Sequence, residues 1–331
     1  MHRRHILSLS AGAALASCVP PGAFAQGGAV KRIGIPWFLP RERWPEEMKA
    51  GWQRRFEALR QLGWIEGRNL QFVFRDVITD AQGLDGAARK LVEAKVDLIM
   101  AVLDGPAFAA KGATTTIPIV AMSAFPVEIG LVQSMSRPGA NITGVSFQAA
   151  EENGRVISLL RDMRPGLTRV GVPVQLSDSG WRIWFEGFER PAGPVGIRVI
   201  PLPLPHSAGD IAPMLEAAAR EQVQALIMPI LPLLSKAVWQ QITAWAIEHK
   251  VITRGPLLWR NEVVVTFGTN VEESERLFAT QIDRVLRGAN PAETPFLQVT
   301  TWETIVNLRL ARAVGWPVPR SVLLQATQVI E

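Results

Sequence analysis

Short apolar runs alternate with helical patterns along nearly the whole chain, and that alternation predicts βαβ units built on parallel sheets. The first predicted strand covers residues 32–36. Pro45, Glu46 and Glu47 open a helix whose Met48, Trp52, Phe56 and Leu59 share one face, and Gly63 closes it. Further strands are expected at 69–75, 98–103 and 117–122. Between them lie a core-facing stripe of Leu84, Ala87, Ala88, Leu91 and Val92 and a short helix from Asp104-Gly105-Pro106 through Lys111. An apolar helical stretch is expected after Pro126. The pattern then restarts with a helix at 152–164, a strand at 169–174, a helix at 179–190 and a strand at 197–202. Ser207 and Asp210 form a capping box for a helix carrying Ile211, Met214, Leu215 and Ala218. A buried strand at 224–229 and a helix marked by Val238, Ile242 and Trp245 follow. Residues 262–267 read as a strand that leads to Asn270-Val-Glu-Glu273, a second capping box, whose helix bears Phe278, Ile282, Val285 and Leu286. A last short strand is expected at 296–300, with Thr300 and Glu303 capping a terminal helix that ends at Gly315.

The expected fold class is therefore α/β, with two open parallel-sheet lobes. A length of 331 residues agrees, since it exceeds what one hydrophobic core usually serves. The expected lobes are residues 29–142 plus 268–296 and residues 146–265 plus 300–331, with hinges near 141–146, 266–270 and 297–300.

Residues 1–25 read as an export signal: a basic start at His2-Arg3-Arg4-His5, an apolar stretch from 6 to 17, and the small-x-small pattern Ala23-Phe24-Ala25. Cleavage after Ala25 is preferred. Leu15-Ala16-Ser17-Cys18 offers the alternative of a lipid-modified Cys18, and Arg3-Arg4 leaves Sec and twin-arginine export both open. Cys18 is the only cysteine, so cleavage after Ala25 leaves no disulfide, thiol nucleophile or thiolate metal site.

The net charge of +5 does not point to nucleic acid. Arg54 and Arg55 alternate with Glu46, Glu47, Glu57 and Glu66, as on a solvated helix face, and no basic block with interleaved aromatics occurs. Catalytic patterns are missing too: there is no G-x-S-x-G elbow, phosphate loop or dinucleotide fingerprint, and His206 and His249 stand alone. No metal-ligand spacing is present. The expectation is a binding protein without cofactor rather than an enzyme.

In open parallel sheets, ligands sit beyond the carboxyl ends of the strands. Those positions are Trp37, Asp104, Gly105, Ser123 and Phe125 in the first lobe, and Gln175, Asp178, Pro229, Trp259 and Arg260 in the second. Amides at the helix after Gly105 could hold a carboxylate. Asp104 or Asp178 could pair with an amino group or serve as a turn or cap residue, and Arg260 could meet an anion or stand at the surface. Trp37 and Trp259 suit stacking platforms, and with no tyrosine in the chain any aromatic clamp must be Trp or Phe.

Residues 117–146 place a buried strand, Pro126 and the segment Arg137-Pro-Gly-Ala-Asn-Ile-Thr-Gly-Val145 in one register. This stretch resembles the signature of bacterial solute-binding proteins of ABC transporters, the group that includes tryptophan- and tyrosine-type binding proteins. Residues 58–70, 95–100, 109–120, 267–270, 286–291, 307–315 and 319–331 are similar to the family's pattern as well. The resemblance implies a periplasmic-binding-protein type I fold, with lobes joined by three crossing strands. It also implies a periplasmic monomer that closes on a small-molecule ligand and delivers it to an ABC permease in the inner membrane. A periplasmic sensory subunit coupled to a membrane receptor is the alternative. Phe125 stands where many relatives have aspartate before Pro-Val, and the loops Leu103-Asp-Gly-Pro106 and 257–262 also depart from the pattern. The expected ligand is an aromatic or apolar carboxylate, or an amino-acid-like molecule.

Overall fold

The computed structural model describes residues 29–76, 83–175, 181–204, 210–229 and 235–331. Two sheets organise them. Strands β1 (Lys31–Trp37), β2 (Leu70–Asp76), β3 (Leu98–Val102), β4 (Ile119–Ser123), β5 (Ile142–Ser146) and β11 (Leu297–Gln298) form a six-stranded sheet in the order β11-β5-β4-β3-β1-β2. All its pairings are parallel. The seven-stranded sheet contains β6 (Arg169–Val174), β7 (Arg198–Pro203), β8 (Ala225–Ile227), β9 (Ile252–Gly255), β10 (Val265–Thr269), β12 (Trp302–Asn307) and β13 (Gln328–Ile330), ordered β13-β12-β10-β9-β8-β6-β7. Here β10 and β12 run antiparallel.

Helices cover both faces of each sheet, so the central strands β3, β4, β8, β9 and β10 are buried at every position rather than alternating. β3, Leu-Ile-Met-Ala-Val, is buried throughout. One face of the first sheet packs Ile33, Ile35, Met100 and Met122 against Trp52 and Leu59 of α1 (Glu46–Gln61) and Phe278 and Ile282 of α8 (Val271–Leu286). The other packs Ile99, Ala101 and Ile119 against Leu91 of α2 (Gly83–Glu93) and Ala107 of α3 (Asp104–Ala113). In the second sheet, Val170, Val172 and Phe267 meet Leu160 of α4 (Ala149–Met163) and Phe188 of α5 (Trp181–Ala192). Leu226 meets Met214 of α6 (Ala212–Arg220) and Trp239 of α7 (Lys236–Glu248) on the opposite face.

The chain passes between the sheets after β5, after β10 and after β11. The expected hinge at 141–146 is thus the strand that precedes the first crossing, which falls at residues 147 and 148. The second crossing is Asn270, between β10 and α8, and the third runs through residues 299–301.

Several expected elements need correction. No terminal helix starts at Thr300. Residues 302–307 instead form β12, because the β-branched run Thr304-Ile305-Val306 buries fully as a strand paired with β10. Only α9 (Leu308–Ala313), capped by Asn307, and α10 (Arg320–Gln325) are helical in the tail. The apolar stretch after Pro126 forms a run of turns rather than a helix, with Gly130 at φ +70° and hydrogen bonds from Ile129 N–H to Phe125 O and Val132 N–H to Pro126 O. Strands β9 and β13 add to the expected elements. The Ser207–Asp210 box does not open α6, which starts at Ala212 with Ile211 at its N-cap; Asp210 stands before the helix and accepts from Ala212 N–H at 3.2 Å, and Ser207 lies outside the described residues.

Candidate functional site

The carboxyl ends of β1, β3 and β4 are neighbours in the first sheet, and they bring most of the expected first-lobe residues together. Between β3 and α3, Leu103 has φ +80° and ψ 162°, a conformation that costs a non-glycine residue about 1–3 kcal/mol. That turn makes Asp104 the first residue of α3. Its Oδ1 accepts Ser123 Oγ–H at 2.5 Å and Ala124 N–H at 3.2 Å, so Asp104, Gly105 and Ser123 form one joint at the rim of the sheet. The carboxylate also complements the positive end of the helix. Trp37 is 5% exposed and packs edge-on against Trp52 at 5.2 Å and Phe38 at 5.3 Å, with its indole N–H unpaired. It is part of the core wall below the rim rather than an open platform.

In the second lobe the expected residues are dispersed. Gln175 is exposed after β6, Pro229 is half-buried after β8, and Asp178 lies outside the described residues. Trp259 is buried in the turn after β9 and stacks on Trp239 at 5.4 Å, a core contact. Arg260 beside it is exposed, and its carbonyl accepts from Asn307 Nδ2 at 3.5 Å.

Phe125 is the expected residue that reaches across. Its ring, 7% exposed, meets Trp184 of α5 edge-on at 6.4 Å. Next to it lies Asn153 on α4, fully buried, with neither its amide nitrogen nor its oxygen paired; the Trp184 indole N–H is unpaired too. Asn153 and Trp184 lie within helices and so fall outside the strand-end positions named from the sequence. The available signal was the polar Asn153 inside the stripe Ala149, Asn153, Val156, Ile157 and Leu160, a helical core face.

Side chains also tie the crossings to one another. Gln148, in the left-handed region at φ 52°, donates from Nε2 to Val299 O and so joins the first crossing to the third. Asn270 caps α8 through Glu273 N–H at 2.8 Å and donates from Nδ2 to Glu303. The Glu273 carboxylate accepts from the backbone and hydroxyl of both Thr300 and Thr301. Burial pushes the Glu273 carboxyl up, but these bonds outweigh it and hold the group below its ordinary value.

A buried ion pair anchors each lobe close to a crossing. Arg55 of α1 meets Glu275 of α8 at 2.7 Å. Arg254 of β9 meets Glu152 of α4 and also donates to Phe267 O. Burial raises the Glu152 carboxyl, with Arg254 pulling the other way. Among the described residues no cluster of three or more His, Cys, Asp or Glu could hold a metal ion, and no helix is long and apolar enough to cross a membrane. The rim joint of Asp104 and Ser123 lies at the strand ends of the first lobe, and the contact of Phe125 with Trp184 reaches from there to the second.

Comparison with known proteins gives the same picture. The family model described as "ABC transporter substrate binding protein" matches residues 47–330. A tyrosine-binding protein of Clostridioides difficile (strain R20291) is 30% identical over 154 residues, which cover 46% of this chain and 43% of that relative. The match thus spans less than half the length of that curated relative. Among solved structures, an ABC domain from Streptococcus pneumonia in complex with L-Trp has a TM-score of 0.78 at 21% identity, covering 91% of this chain and 100% of that one. A ligand-free, open substrate-binding protein with adhesive properties from Clostridium difficile has a TM-score of 0.62 at 22% identity, covering 91% and 99%. The fold is that of type I periplasmic binding proteins. The chain belongs to the ABC transporter substrate binding protein family.

Proposed function

We propose that this protein is exported through its N-terminal segment, captures a small organic molecule between its lobes and presents the closed complex to an ABC permease. The carrying observation is the arrangement of two parallel-sheet lobes with three linking segments at the carboxyl ends of their strands. Such a joint permits hinge closure with few backbone changes. Ligand contacts made only in the closed form supply the free energy that drives closure. The ligand is an aromatic or apolar carboxylate or an amino-acid-like molecule. Trp184, next to Phe125, supplies aromatic surface between the lobes, and the L-Trp complex and the tyrosine-binding relative set the comparison class. A thermal-shift screen of aromatic acids, aliphatic acids and amino acids tests this, because a ligand that binds only the folded state raises the melting temperature with concentration. A concentration-dependent rise with one of these classes supports the reading. A flat response across the screen contradicts it.

A further inference from the structure

The contact between Phe125 and the second lobe is poorly matched to its occupant. A Cβ placed on Gly187 of α5 would lie 2.6 Å from Asn153 Nδ2, 3.4 Å from Phe125 Cζ and 3.8 Å from Phe125 Cε1. The ring tip and the carboxamide therefore meet over the bare backbone of Gly187, with the Trp184 ring alongside. Both polar atoms of Asn153 and the indole N–H of Trp184 are sealed from solvent without a partner. A benzyl ring can offer these groups nothing, and a permanent apolar contact between lobes is normally lined by apolar side chains.

We propose that the notch formed by Trp184, Gly187 and Asn153 is a ligand subsite for an aromatic ring bearing a carboxylate or carbonyl, and that Phe125 is its resident stand-in. The ring of the ligand would replace that of Phe125 against Trp184. Its oxygen would accept from the Asn153 amide and the Trp184 N–H, which are donors that a hydrocarbon ring leaves unmade. Ligand entry then displaces Phe125 from the second lobe, so this side chain sets both selectivity and the resting position of the lobes. The proposal rests on the binding-protein reading given above and names the wall that such a ligand uses.

Calorimetric titration of the full chain with indole-3-acetate, and with hexanoate as a ringless control, tests it. Removing the stand-in by Phe125→Ala should tighten indole-3-acetate about tenfold, the scale of one aromatic contact, and leave hexanoate unchanged. Adding Asn153→Leu to Phe125→Ala should abolish that gain. Phe125→Leu provides a milder variant if the alanine chain folds poorly, and should fall between the two. Unchanged or weaker indole-3-acetate binding in both Phe125 variants would overturn the subsite. If the wild-type chain binds another ligand under those conditions, the binding-protein reading survives and only the subsite is lost. If neither wild type nor variants bind any small molecule, both are lost.

Discussion

Asn141 donates from Nδ2 to Thr114 O at 3.2 Å and Ile117 O at 2.7 Å, closing the turn that feeds β4. Two residues on, Thr143 donates to Thr294 O at 2.8 Å and accepts from Gln281 Nε2, which also reaches Gly144 O and Pro295 O. A methyl group at Gly144 would sit 1.9 Å from Ala121 O, so the close approach of β5 to β4 requires glycine there. The segment 137–145, the most recognisable in the sequence, is therefore a fastening that holds β5, α8 and the returning chain together. Thr143→Val keeps the shape but strands Thr294 O in the interior. It should cost about 1–3 kcal/mol in urea unfolding, and an unchanged midpoint would contradict the account. Glu273 makes a pH-dependent contribution of known sign. Its folded value is depressed, so its stabilisation is present above the ordinary glutamate range and is lost as the pH falls through that range to the lowered value. The melting-temperature gap between wild type and Glu273→Gln should be open at neutral pH and close in acid; a gap that widens in acid would refute this.

At the scale of elements, each crossing delivers the chain to a helix or strand whose start is held by a polar network of side chains. The two buried ion pairs stand at such points, with Glu152 in the first turn of α4 and Glu275 near the start of α8. Removing one partner leaves a charge buried without compensation. Arg254→Met should destabilise by about 3–5 kcal/mol, and Glu152→Leu in the same chain should recover most of that loss, as read from chemical denaturation of both variants. Equal losses in the single and double variants would mean that packing, rather than the stranded charge, sets the cost. Regular elements with a clear period were legible from sequence: α1, α8 and strands β3 and β6 fall where the apolar pattern puts them. β12 was not, because Thr300 and Glu303 mimic a helix start, and only pairing with β10, more than thirty residues away in sequence, decides for a strand. The turns after Pro126 show the same limit in reverse: an apolar stripe promised a helix that Gly130 interrupts.

For the whole molecule, two lobes follow from alternation and length, the three crossings between them from the family resemblance, and together they carry the functional reading. The site is less legible, because strand-end position does not say whether a side chain faces the cleft or the core. Trp37 and Trp259 sit at strand ends and turn inward, whereas Asn153 and Trp184 lie within helices and meet Phe125 from the other lobe. If closure follows binding, small-angle scattering should show a smaller radius of gyration once a thermal-shift ligand is added, and an unchanged radius would separate binding from closure. The central claim, that the molecule exists to enclose one small ligand, is met most directly by native mass spectrometry of gently purified protein soaked with the aromatic acids, aliphatic acids and amino acids of the screen. The account predicts a mass increment matching one such molecule per chain, lost when the protein is unfolded; bare protein under every condition would contradict it.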